Sequence, residues 1–196
     1  MLVTLLDFLI GVLLLRPWAV FWEVFGVVVA VVSAPFIMVT HGFDFHTLQG
    51  VFKFTKQVPM GVHLQRFLVR VCSPYAASIP FEIVSLDGPS CTVQLEDWPW
   101  LRNPFNSVHA AALCNLAELT CGLAMTNVLQ SLPQLRGIPV RVDCQYRRKG
   151  RGLLTSKCTV STLYKAGTYL CFVSVTDSLS RVICEATVHW VVSENQ

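Results

Sequence analysis

The sequence predicts an α+β domain, in which one long buried helix is wrapped by a curved antiparallel sheet, behind an N-terminal hydrophobic segment. Three observations predict it. Residues 1–40 hold 30 apolar residues of 40, whereas the rest of the chain has ordinary globular composition. Residues 108–132 read as one helix that is apolar almost all round, as expected of a helix buried on most faces. Four strand-like runs follow it, at 138–148, 153–164, 168–177 and 182–192.

With 196 residues the chain has room for one domain and an appendage. It is 53% hydrophobic and 14% charged, which excludes disorder, collagen and coiled coil. A net charge of +3, scattered along the chain, gives no footprint for nucleic acid. The eight cysteines form no C-x-x-C and stand mostly in apolar runs such as 113–116 and 170–173. They read as reduced core thiols, which points to a reducing compartment.

Residues 1–40 read as a membrane anchor, either one span around 20–40 or a hairpin hinged at Arg16-Pro17. The segment lacks the basic start and short core of a signal peptide, and its single arginine does not suit a transit peptide. A hydrophobic arm packed on the domain or on a partner is the other reading. Lys53, Lys56, Arg66 and Arg70 outnumber Asp44 and Glu82 after the anchor, which places the domain on the cytosolic or matrix side. Residues 41–56 read as a linker; His41 and His46 stand five apart without a further ligand, so no metal is assigned.

The domain is expected over 57–194. Pro59 opens a helix, Met60–Cys72, with Leu64, Phe67, Leu68 and Val71 on one stripe. A strand over 77–86, a turn at 87–90 and a partner strand over 91–96 come next. A polar, aromatic loop at 97–107 leads into the long helix, with Asn106 or Ser107 as its cap.

The element order and the stretch from Asn103 to Glu118 resemble the hot-dog fold of acyl-CoA thioesterases. The motif is similar to the phenylacetate-pathway type, with an asparagine six residues before a His-Gly-Gly and an acid nine after that histidine. Asn103, His109 and Glu118 stand at those spacings. Here the triplet is His-Ala-Ala, as in thioesterase-like relatives of that superfamily. The resemblance implies hydrolysis of a fatty acyl-CoA by a homodimer or a dimer of dimers, with coenzyme A as part of the substrate and no other cofactor.

The residues support that chemistry in outline. A helix N-terminus offers free amides and a dipole to polarise a carbonyl, and Ala110 carries the first such amide. Glu118 would act as general base or nucleophile, or else as a structural carboxylate. His109 and Glu118 point to opposite faces, about 13.5 Å apart along one helix, so they would meet only across a pair of helices. Asn103 would orient water or close the loop through its own side chain. His109 would react or hold the loop. Arg147, Arg148, Lys149 and Arg151 would grip the phosphates of coenzyme A, form a solvated turn, or face anionic lipid. A non-catalytic module that binds acyl-CoA or lipid is the alternative. Ala110 and Ala111 add methyl groups where glycines would let a thioester come close.

Overall fold

A computed structural model of the chain describes residues 16–40, 45–163 and 165–195. Residues 1–15, the first limb of the expected anchor, and His41 and Asp44 of the expected linker lie outside the described residues.

Helix α1 spans Arg16–Thr40, α2 Leu48–Gln57 and α3 Gly61–Cys72. The helix α2 takes up 48–56 of the stretch read as a linker and ends one residue beyond it; Thr47 caps it by accepting the Gly50 amide at 3.1 Å. Strands β1, Phe81–Asp87, and β2, Ser90–Glu96, form a hairpin. The long helix α4 covers Ala110–Leu129. Strands β3, Leu135–Tyr146, β4, Leu153–Thr159, β5, Gly167–Thr176, and β6, Val182–Glu194, complete the domain.

Among the described residues six strands form one antiparallel sheet in the order β1-β2-β4-β5-β6-β3. This is the hot-dog arrangement: α4 lies against all six strands, and its Leu116, Ala117, Cys121, Ala124 and Met125 are fully buried. Alternate residues of β2, such as Cys91, Val93 and Leu95, face the helix. A buried pair pins helix to sheet. Thr120 Oγ1 lies 2.7 Å from both the Leu116 carbonyl and Ser156 Oγ, with Thr120 and Ser156 fully buried.

Four local expectations need correction. The long helix starts at 110, not 108, because Val108 bridges to Arg102 and donates its amide to the Gly150 carbonyl at 3.1 Å. It ends at 129, where 131 and 132 turn more tightly before Pro133. The cap is neither Asn106, which adopts φ 54°, nor Ser107, whose hydroxyl donates to backbone carbonyls. Strand β1 begins at Phe81 rather than 77, since Ala76–Ser78 forms a 3₁₀ turn and Pro80 follows. Of the α3 stripe only Leu64 is buried; Phe67, Leu68 and Val71 are exposed.

Strand β3 is an edge. It pairs only with β6, and Pro139, which has no amide hydrogen, sits beside a bulge there. Its Ile138 and Val140 are exposed. All eight cysteines are unbridged. Burial pushes the Cys91 thiol up to about 12.

Candidate active site

The loop before α4 is built around two side chains. Asn103 Oδ1 accepts the amides of Phe105 at 3.0 Å and Ser107 at 3.3 Å, closing the loop as an Asx turn. Arg102 pairs with the buried Asp97 at 2.9 Å and reaches Asn106 Oδ1 at 3.2 Å. Asp97 also bonds through its backbone amide to the Gly152 carbonyl, at 3.0 Å. Gly152 takes φ 63°, a left-handed conformation that glycine adopts at least cost. The loop therefore sits against the turn that carries the basic run.

His109 is the N-cap of α4, and its Nδ1 accepts the Ala111 amide at 3.1 Å. That assigns the remaining proton of a neutral ring to Nε2. The carbonyl of His109 receives the amides of Ala112 and Leu113. Among the described residues the Ala110 amide has no acceptor, so it is the free donor at this helix start. Its carbonyl accepts from Tyr146 Oη at 3.1 Å.

A cavity of about 410 Å³ opens at this point. Ala110, Leu113 and Val108 line it on the apolar side, Phe105 and Tyr146 flank it, and Asn103 completes the loop side. Arg147, Arg148 and Lys149 also line it. Arg147 pairs with Glu185 at 2.8 Å, Arg148 donates to the Val182 carbonyl at 3.2 Å and Lys149 to the Phe105 carbonyl at 3.4 Å. Among the described residues neither Arg148 nor Lys149 meets a carboxylate, so two positive charges at this mouth stay unbalanced. Arg151 does not line the cavity.

Glu118 stands elsewhere. It is eight residues beyond Ala110 on the same helix, about 12 Å along the axis. It lies on a stripe with Ala111, Cys114, Gly122 and Thr126 that the sheet leaves partly open. A side chain on Gly122 would meet nothing within 4 Å. Partial burial raises the Glu118 carboxyl above its ordinary range. Among the described residues no hydrogen bond or ion pair reaches it. So the structure gathers Asn103, Ala110, Arg147, Arg148 and Lys149 at one mouth, uses His109 as a cap there, and leaves Glu118 and Arg151 outside it.

Sequence reading missed Tyr146. Its position at the strand end just before the basic run was the available signal, since a strand end delivers its last side chain to the same rim as the turn. No group of three or more His, Cys, Asp or Glu side chains suited to a metal occurs among the described residues.

No curated protein sequence matches the chain. Solved structures do share the fold. The Haemophilus influenzae thioesterase HI1161 superposes with a TM-score of 0.56 at 16% identity, over 65% of this chain and 88% of that one. The Escherichia coli PaaI protein of the phenylacetic acid degradation operon gives 0.54 at 16% identity, over 65% and 91%. A hypothetical thioesterase of Streptococcus pneumoniae, solved with coenzyme A, gives 0.51 at 20% identity, over 59% and 88%. At such identities the likeness establishes the hot-dog fold. The model of a family described as a domain of unknown function, DUF4442, matches residues 61–192, more than half of the sequence, and the chain belongs to that family.

Proposed function

We propose that the chain hydrolyses an acyl thioester of coenzyme A, at sites completed by a second copy. The observation that carries this reading is the mouth at the start of α4, where the free Ala110 amide faces the same cavity as two unbalanced cations. The amide and the helix dipole polarise a thioester carbonyl, while Arg148 and Lys149 attract the coenzyme's phosphates. Two fold relatives described as thioesterases, one of them solved with coenzyme A, support the choice of substrate.

The missing part is a base. Glu118 is too far along its own helix to serve its own Ala110. Strand β3 has an open edge and packs beside α4, whose uncovered stripe carries Glu118. Pairing that edge with a second copy would set two α4 helices side by side and bring each Glu118 toward the other copy's Ala110. Glu118 then takes a proton from water, and the hydroxide forms the new C–O bond at the carbonyl carbon. The C–S bond breaks, the proton passes to the thiolate, and free acid and coenzyme A leave. His109 positions the helix start and Asn103 the loop. Free-thiol release across a panel of acyl chain lengths tests the proposal. Glu118→Gln should lower turnover by about 10²-fold or more while the dimer stays folded, because general acid–base catalysis contributes on that scale. Full turnover in a folded Glu118→Gln dimer would make the carboxylate structural and favour the non-catalytic, ligand-binding reading.

A further inference from the structure

We infer that α1 lies flat in one lipid leaflet, its outer face immersed together with that of α3, instead of crossing a bilayer. By length and composition alone α1 would suffice to cross. Its packing says otherwise. Glu23 Oε1 meets Arg66 Nη1 of α3 at 2.6 Å, and Glu23 Oε2 meets His63 Nδ1 at 3.3 Å. Gly26 lies flat on the His63 ring, where any Cβ would come within 2.3 Å of it. Ala30 is fully buried with Phe54, Val58 and Leu64, and Ala34 and Ile37 pack on the same cluster.

Those contacts recur every three or four residues and form one stripe. They run from 23 to 37, about 21 Å of helix held lengthwise against α2 and α3. The supporting helices carry Lys53, Lys56, Gln65, Arg66 and Arg70, which cannot follow α1 into hydrocarbon. Among the described residues, 16–22 lie beyond the Glu23 pair on that side, roughly 10 Å of helix. Crossing would strip α1 from the domain and open the Glu23 pair and the Ala30 cluster.

The opposite stripe is apolar without interruption. Val20, Val24, Val28, Val31, Val32 and Phe36 are each more than half exposed. The antiparallel pairing of 23 with 66 and of 26 with 63 sets Phe67 and Val71 of α3 level with Trp22 and Trp18. Phe67 is 47% exposed and Val71 66%. A protein interface carries about one hydrogen bond per 100–200 Å² to fix its register, and this stripe offers no side chain that could make one. Lipid demands none. Four of the five tryptophans, Trp18, Trp22, Trp98 and Trp100, line one cavity of about 330 Å³ at the first-residue end of α1. Tryptophan is the side chain that settles at the boundary between hydrocarbon and water.

Depth measurement decides. Full-length chain, with Cys72→Ser as background, is reconstituted into phosphatidylcholine–phosphatidylserine vesicles. Nitroxide labels are placed singly at Val24→Cys, Val28→Cys, Val32→Cys and Phe36→Cys, all solvent-facing sites. Relaxation by oxygen against a water-soluble nickel chelate reads each depth. An in-plane helix places all four at one depth, within about 3 Å. A crossing helix spreads 24 and 36 along the normal by up to about 18 Å, and that gradient overturns the proposal. Protection of the labels without lipid, kept when Ile138→Lys with Val140→Lys is added to open the β3 edge, would show that the α1 stripe itself pairs two copies and would also overturn it. In the unsubstituted chain Cys72, beside Val71 and the one exposed cysteine, supplies a second readout. Vesicles should slow its reaction with an impermeant maleimide at least tenfold; an unchanged rate would place α3 outside the leaflet.

Discussion

Replacing His109 separates a structural imidazole from a reacting one. In the structure its Nδ1 holds the Ala111 amide at 3.1 Å, which is the work of an N-cap. His109→Ala removes that acceptor and leaves the amide to water. Loss of a cap costs about 1 kcal/mol, which lowers Tm by roughly 2–4 °C in a domain of this size. Asparagine is itself a strong cap, so His109→Asn should return Tm to that of the parent. Calorimetry gives Tm, and free-thiol release gives kcat/KM on the same preparations. Both variants should stay within tenfold of the parent rate, with only His109→Ala less stable. A His109→Asn protein of parental Tm that is at least about 100-fold slower would show that the ring moves protons, and the reasoning would fail.

Other outcomes follow from the same geometry. Burial raises the Glu118 carboxyl above its unfolded value, so the folded chain holds that proton more tightly than the unfolded one. The resulting penalty is absent below the unfolded pKa, about 4.3, and complete above the raised folded value. Glu118→Gln should therefore raise Tm at neutral pH and leave it unchanged at pH 3.5, by calorimetry at both. With Glu118 as base, the acid limb of kcat/KM should lie above the ordinary carboxylate range and vanish in that variant. Arg148→Ala with Lys149→Ala should raise KM for acyl-CoA at least about tenfold and spare the pantetheine thioester, less so at high salt. Ile138→Lys with Val140→Lys should shift the sedimenting species from dimer to monomer and remove turnover with it.

The core was legible because its signals are local. An apolar helix between hairpin-forming strands announces itself through period and turn residues, and α4 with β3, β5 and β6 lies within three residues of expectation, whereas β4 stops at Thr159, five residues short of the expected 164. Ends were less legible: the loop borrows the Gly150 carbonyl, 42 residues after Val108, so no window around 108 reveals that it is not helical. For the site, spacing picked out Asn103, His109 and Glu118 and the helix start picked out Ala110, but neither showed that the Arg148–Lys149 turn returns to that helix start across the sheet. The helical period put Phe67 and Val71 on one stripe with Leu64, but period reports an apolar face and not what covers it, so their exposure was not legible.

The loop at 97–107 joins two places that differ in kind. Its first turn carries the stacked rings of Trp98 and Trp100, 4.8 Å apart, beside the start of α1, and its last residues line the mouth at Ala110. If that tryptophan rim rests on a leaflet, an amphiphilic donor need not be met in free solution. It is collected by lateral diffusion, and its effective concentration is a mole fraction in the surface. Turnover would then fall when inert lipid dilutes the donor at constant bulk amount. A Michaelis constant quoted per litre would describe the vesicles as much as the enzyme.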